Sequence, residues 1–252
     1  MRRTFILAAA PLAVAAVLST APGVATAAVT HGAFHRASPS ISGLEQSTNW
    51  SGVAVTGGTY TRATGSWVVP TVKITSGNRY AADWVGIGGY STQDLIQSGT
   101  SEESVSGHAN YYAWTEILPA PEVKISGFAI HPGDSMTVDV NQLSLGSWRI
   151  TVTNHTTGHV FTKNLNYAST HASAEWIHEA PTVGGGQARL ATTTNANYDH
   201  STVNGSTVIG SAGTRHEIQL VGPTYSTPSL LDSDNDGFAV KDGKTAPPPP
   251  PS

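Results

Sequence analysis

The chain has 252 residues, no cysteine, 12% charged residues and a formal net charge of −4 at neutral pH. The lack of cysteine excludes a disulfide framework, so stability must come from an apolar core, which a domain of this length can bury. No basic stripe runs along the sequence, which excludes nucleic-acid binding, and the Ser, Thr, Gly and Asn that replace charge at surface positions suit an exported protein.

Met1-Arg2-Arg3, the apolar run from Thr4 to Leu18 and the small-residue site Ala25-Thr26-Ala27 form the three parts of a secretory signal peptide. The apolar run is too short for a membrane span. Residues 1–27 are therefore read as a signal, and the mature protein as secreted, extracellular and free of the membrane. Residues 28–47 carry His31, His35 and Arg36 without periodicity, and read as a linker or short pro-segment. Residues 48–243 form one β-domain. The end, residues 244–252, holds the run Pro247 to Pro251, which cannot join a ladder and is expected to be an extended tail.

From Asn49 onward, short runs rich in Val, Ile, Thr, Tyr and Trp alternate with Gly, Asn, Pro and Ser punctuation. This predicts an all-β fold, an antiparallel sandwich or barrel, and no window of helix length carries a 3.6-residue stripe. The expected strands are Trp50 to Val55, Tyr60 to Val69, Tyr80 to Ile87, Asp94 to Ser98, Asn110 to Leu118, Ser135 to Gln142, Ser147 to Asn154, His159 to Leu165, Ala174 to His178, Gln187 to Thr193, Glu217 to Val221 and Gly237 to Lys241. Asn154 to Gly158 reads as a hairpin loop. All six tryptophans fall inside expected strands, where core or groove wall is their usual place.

Several familiar sites are missing: a Gly-x-Ser-x-Gly elbow, a cysteine nucleophile, His-Glu-x-x-His, and Asp-Thr-Gly or Asp-Ser-Gly. Asp232 to Gly237 copies the first half of a calcium loop, but the twelfth position is Gly243 where a bidentate Glu is needed, so a polar turn is the better reading. His155 and His159 straddle a predicted turn rather than a helix face, which argues against a metal. Asn154-x-Thr156 fits a weak glycosylation sequon.

Two stretches carry chemistry. In Ala174-Glu175-Trp176-Ile177-His178-Glu179, alternation puts Glu175, Ile177 and Glu179 on one face. The two glutamates lie about 13 Å apart at ~3.3 Å per residue, too far to share a proton, so a catalytic partner must come from elsewhere. In Tyr112-Ala113-Trp114-Thr115-Glu116, the same parity puts Tyr112, Trp114 and Glu116 on one face, and its mix of aromatics and carboxylate suits a binding groove.

Asn49-Trp50-Ser51-Gly52, Trp84-Val85-Gly86-Ile87, Leu95-Ile96-Gln97-Ser98-Gly99, Ala113-Trp114-x-Glu116 and Ala174-Glu175-Trp176-Ile177-x-Glu179, in that order, resemble the eqolisins, or glutamic peptidases. The resemblance implies an antiparallel two-sheet β-sandwich, a lectin-like (concanavalin-type) jelly roll, with a Gln and a Glu as catalytic pair. Carried over, these are Gln97 and Glu179. Trp84, Tyr112, Trp114, Glu116 and Glu175 then line the substrate groove. Gly88 and Tyr112 depart from the fungal pattern, where Asp stands at both positions. The implied protein is a secreted acid endopeptidase, a monomer acting on polypeptide substrates without metal or cofactor. A non-catalytic carbohydrate- or peptide-binding sandwich is the alternative, because fold does not fix function.

Overall fold

A computed structural model describes residues 27–37 and 43–252; the signal-peptide reading falls outside these, apart from Ala27. In chain order the strands are β1 (Val29–Thr30), β2 (Glu45–Ser47), β3 (Trp50–Thr56), β4 (Arg62–Val68), β5 (Arg79–Gly88), β6 (Leu95–Val105), β7 (His108–Ile117), β8 (Val123–Lys124), β9 (Ser135–Ser144), β10 (Ser147–Asn154), β11 (His159–Asn166) and β12 (Ser173–Glu179). They continue with β13 (Thr182–Val183), β14 (Gly186–Gln187), β15 (Ala196–Val203), β16 (Thr207–Val208), β17 (Thr214–Leu220), β18 (Ser226–Pro228) and β19 (Phe238–Asp242). Among the described residues the one helical piece is a 3-10 turn, Ile209–Ser211.

Hydrogen bonds run in the order β11-β10-β9-β4-β15-β19-β18-β17-β3-β12-β5-β6-β7-β8. The two arms of this path pack face to face as a β-sandwich. Between them lies the main core, where Val53, Val85, Ile96 and Trp176 from one arm meet Trp67, Val138, Trp148 and Ile150 from the other. The opposite face of the β3-β12-β5-β6-β7 arm carries a second cluster of Trp50, Ala54, Trp84, Leu95, Trp114 and Ile177. Strand parity makes this division: in β12, Ala174 and Trp176 enter the main core while Ile177 enters the second cluster, and Glu175 and Glu179 share the face of Ile177. All six tryptophans lie in strands and are buried.

The expected hairpin forms: Asn154 pairs with His159, and Gly158, at φ 75°, donates its N–H to the Asn154 carbonyl at 2.8 Å. Asn154 itself is fully buried and donates to Asp134 at 2.8 Å, so the sequon does not offer a free acceptor. Asp232 to Gly237 is a turn before β19, in which one Asp232 oxygen accepts from the N–H groups of Asp236 and Gly237.

Three sequence expectations need correction. The strand expected over Gln187 to Thr193 shrinks to β14, because residues 189–192 divide their backbone bonds between two partners: Arg189 and Ala191 bond Tyr80, while Thr192 bonds Lys73. A strand absent from the sequence reading, β15, sits between β4 and β19; its period breaks at a bulge between Asp199 and Thr202, where His200 takes φ 53°. And β6 extends to Val105, well beyond Ser98.

Gly99, in the middle of β6, fixes the spacing of the site. A Cβ there would lie 2.2 Å from the Asp83 carbonyl oxygen and 2.6 Å from Trp84 Cβ. Gly99→Ala is therefore expected to push β6 from β5 and to lower stability by about 1–3 kcal/mol, read as a reduced urea midpoint at unchanged m-value.

Candidate active site

Gln97 stands in β6 directly opposite Glu116 of β7, and its Nε2 donates to Glu116 Oε2 at 2.7 Å. On its other side the neighbour is Gly86 of β5, where a Cβ would come 3.1 Å from both Gln97 Cβ and Trp84 Cζ3. The glycine makes room for the amide and the indole together. Glu179, at the end of β12, pairs with Trp50 of β3 and Ala82 of β5. Its Oε2 accepts from Trp84 Nε1 at 2.9 Å, and Trp84 meets Trp50 edge-on with ring centres 5.1 Å apart.

Strand register alone places Glu175 in the row of Gln97, since both flank Gly86. The side chains of Glu179 and Gln97, by contrast, meet the same peptide unit, contributed by the leader, residues 28–37. The His31 carbonyl accepts from Gln97 Nε2 at 2.7 Å, and the Gly32 N–H donates to Glu179 Oε1 at 3.1 Å. Glu175 is fully buried elsewhere on this face, near Ser173 and Tyr90, and burial holds its carboxyl well above the usual range.

The leader lies extended in the groove with its polar backbone matched residue by residue. The pair β1 and β13 anchors Val29 and Thr30. Val29 O accepts from the Glu122 N–H, His31 N donates to Glu116 Oε2 at 3.0 Å, Gly32 O accepts from Trp50 Nε1 at 2.9 Å, and Ala33 O from Asn49 Nδ2 at 3.0 Å. Phe34 N reaches the Gly89 carbonyl, and the His35 carbonyl accepts from Thr48 N. The residues read from sequence as a linker or pro-segment thus fill the candidate site.

The His31 side chain is the most enclosed part. Its ring stacks on Trp114 at 3.8 Å and 5°, Nδ1 lies 3.1 Å from Glu179 Oε2, and Nε2 lies 2.9 Å from Glu122 Oε2. Burial by itself pushes the imidazole down, but hydrogen bonds to Glu122 and Glu179 and the nearby charge of Glu116 outweigh it and raise the pKa to about 10. The ring is then an imidazolium with both nitrogens donating. For Glu179 the balance goes the other way: burial raises its pKa more than the bonds from His31 and Trp84 lower it. Burial also pushes Glu116 up to about 8.

Among the residues expected in the groove, Trp84, Trp114, Glu116, Gln97 and Glu179 all touch the leader or one another. Tyr112 stands one step out, donating to Glu103 at 2.7 Å with Lys124 Nζ over its ring at 3.4 Å. Sequence reasoning named His31 only as part of a linker or pro-segment, and missed Glu122 and the contacts of Asn49 and Trp50. A separate concavity of about 650 Å³ lies between β4, β15 and the tail residues Pro250 and Pro251, away from all these groups.

The sequence description of the Peptidase A4 family matches residues 48–237. Aspergillopepsin-2 of Aspergillus niger is 32% identical over 215 residues, which cover 74% of this chain and 75% of that protein. The chain belongs to the Peptidase A4 family. As a glutamic-type endopeptidase it hydrolyses peptide bonds. Two solved structures share the fold of this Peptidase A4 member. Scytalido-glutamic peptidase bound to a transition state analog inhibitor has a TM-score of 0.65 at 22% identity, covering 78% of this chain and 98% of that one. Aspergilloglutamic peptidase from Aspergillus niger has a TM-score of 0.57 at 27% identity, covering 66% of this chain and 99% of that one.

Proposed function

We propose that the protein is a secreted endopeptidase, active in acid, in which Gln97 and Glu179 perform the hydrolysis and residues 28–37 occupy the groove until it is opened. The observation that carries this reading is the His31–Gly32 peptide unit, whose carbonyl is held by Gln97 and whose N–H is held by Glu179. A scissile bond needs the same two contacts. The carbonyl oxygen gains negative charge when water attacks, and an amide N–H already aimed at it stabilises that charge without reorganising. The nitrogen must receive a proton before it leaves, and a carboxyl beside it can take that proton from the attacking water and pass it on.

Each neighbour has a part in this. The Gln97 amide has two N–H bonds, and Glu116 accepts one, which fixes the amide so that the other faces the substrate carbonyl. Trp84 fixes one oxygen of Glu179. Burial raises the Glu179 pKa, which brings the group closer to the value that a base working in weak acid requires. In the docked leader both Glu179 oxygens are engaged, Oε1 by Gly32 and Asn49 and Oε2 by His31 and Trp84, so no acceptor site remains for an attacking water. The leader therefore occupies the site as an inhibitor rather than as a substrate.

The test is incubation of the full-length protein with denatured casein from pH 2 to pH 7, with pepstatin and a chelator as controls. Cleavage confined to the acid side and insensitive to both additives is expected. Absence of cleavage at every pH, with retained binding of a peptide or glycan, returns the binding-module alternative.

A further inference from the structure

We propose that Asp199, Asp232 and Asp236 form a calcium site that clamps β15 to the turn before β19, apart from the peptidase groove. Within the sequence the calcium-loop pattern fails at its twelfth position, Gly243. Asp199 supplies from another strand what that position lacks. One carboxylate oxygen from each of Asp199, Asp232 and Asp236 lies within 4.8 Å of the others, the widest span open to ligands about 2.4 Å from a single calcium ion. Asp232, Asp234 and Asp236 keep the first, third and fifth places of the loop, and Gly237 the sixth. A Cβ at Gly237 would lie 2.2 Å from Asp232 Oδ2, so glycine is what lets that carboxylate fold back over the turn.

A polar turn by itself does not account for the oxygens left over. Asp232 is 7% exposed, and its Oδ1 accepts from the N–H groups of Asp236 and Gly237. Its Oδ2 is buried without a donor, and so is Asp236 Oδ1. A carboxylate oxygen closed off from both water and donors is costly unless a cation meets it. Among the described residues the arginine ion pairs go instead to Glu45, Asp139 and Glu217, and the exposed His200 pairs with Asp199. Burial, with the carboxyls of Asp199, Asp234 and Asp232 close by, raises the Asp236 pKa to about 6, as expected of acids crowded without a counter-charge. The ligands are all oxygens, which suits a hard cation, and three carboxylates exceed the one or two that magnesium usually takes while keeping its waters.

The position of the site explains its use. The ladder between β15 and β19 ends at Tyr198 and Phe238, just before the bulge at which His200 takes φ 53°. Beyond it, the Ser201 N–H donates to the Asp236 carbonyl at 3.0 Å. An ion bonded to Asp199 on one side and to Asp232 and Asp236 on the other closes the seam where the ladder stops. Gln97 and Glu179 stand on β6 and β12, so the ion takes no part in hydrolysis and a chelator is not expected to stop cleavage.

The full-length chain is freed of metal with a chelator, dialysed at pH 7, titrated with CaCl2 in a calorimeter and melted with and without the salt. One ion is expected per chain with a Kd of about 0.1–1 mM, the range of extracellular calcium modules. At 10 mM, CaCl2 should raise Tm by roughly 3–10 °C, and MgCl2 much less. Asp199→Asn and Asp236→Asn should each abolish most of that rise yet melt no lower than the wild type without calcium, since each removes a repelling charge. No saturable binding, an equal rise with MgCl2, or a calcium-dependent rise kept in both variants overturns the inference. If neither variant folds, amide hydrogen exchange of the wild type decides. Calcium must slow exchange at Ser201, Asp236 and Gly237, and unchanged exchange there overturns the inference.

Discussion

Glu179→Gln is expected to reduce cleavage of denatured casein in acid by a factor of roughly 100 to 10,000, the usual consequence of losing a general acid-base group. The substitution keeps the size of the side chain, and its single amide oxygen can still accept from Trp84, so the protein should still fold, as a cooperative urea transition checks. Gln97→Ala removes the donor aimed at the carbonyl oxygen and is expected to cost a comparable ~10²–10³ in kcat. The double variant should be little worse than either single one, because both groups serve one step. Glu175→Gln is the control. Glu175 shares the Glu179 face and a register row with Gln97, but the hydrogen bonds of Gln97 go to Glu116 and the His31 carbonyl and not to Glu175, so turnover should survive. Loss of turnover in Glu175→Gln with retention in Glu179→Gln would reverse the assignment.

The assignment also shows which parts of this protein can be read from its sequence. Alternation in the stretch from Ala174 to Glu179 identified the face on which Glu179 lies, and period-2 runs located β10 from Ser147 to Asn154. The far half of β6 escaped because Thr100, Ser101, Glu102 and Ser104 are polar and yet buried between β5 and β7. A run of that composition reads as a loop, and only the two flanking ladders make it a strand. Tyr198 and Val203 of β15 are buried, but the bulge beyond Asp199 shifts their phase and hides the alternation. The choice between Glu175 and Glu179 came from resemblance to a family, and strand parity has no means of making it. The role of His31 had no local signal at all: it sits in an aperiodic polar segment, and its partners Glu122 and Glu179 lie 91 and 148 residues away. Long-range ion pairs leave no periodicity behind.

The hold of the leader on the groove should weaken as pH rises above about 6.5. On the alkaline side the sign is set by His31, whose pKa rises from 6.5 to about 10 when it docks between Glu122 and Glu179. A raised cation contributes its stabilisation fully below about pH 6.5 and loses it as pH climbs toward 10, a change on the order of several kcal/mol at most. Glu116, pushed up to about 8 by burial, acts in the same sense, since the docked state keeps its proton where a solvated carboxyl has lost it. His31→Ala leaves the carboxylates unpaired at neutral pH and is expected to weaken docking by about 2–5 kcal/mol, a factor of roughly 30 to several thousand in the opening equilibrium. Amide hydrogen exchange at Gly32 and Phe34, which bond Glu179 and the Gly89 carbonyl when docked, measures that equilibrium directly. Protection should fall from pH 6 toward pH 10 after correction for intrinsic exchange, and lose most of that pH dependence in His31→Ala. Protection that is flat from pH 7 to pH 10, or equal in the two proteins, would show that backbone contacts alone hold the leader and that the imidazole has no part in the latch.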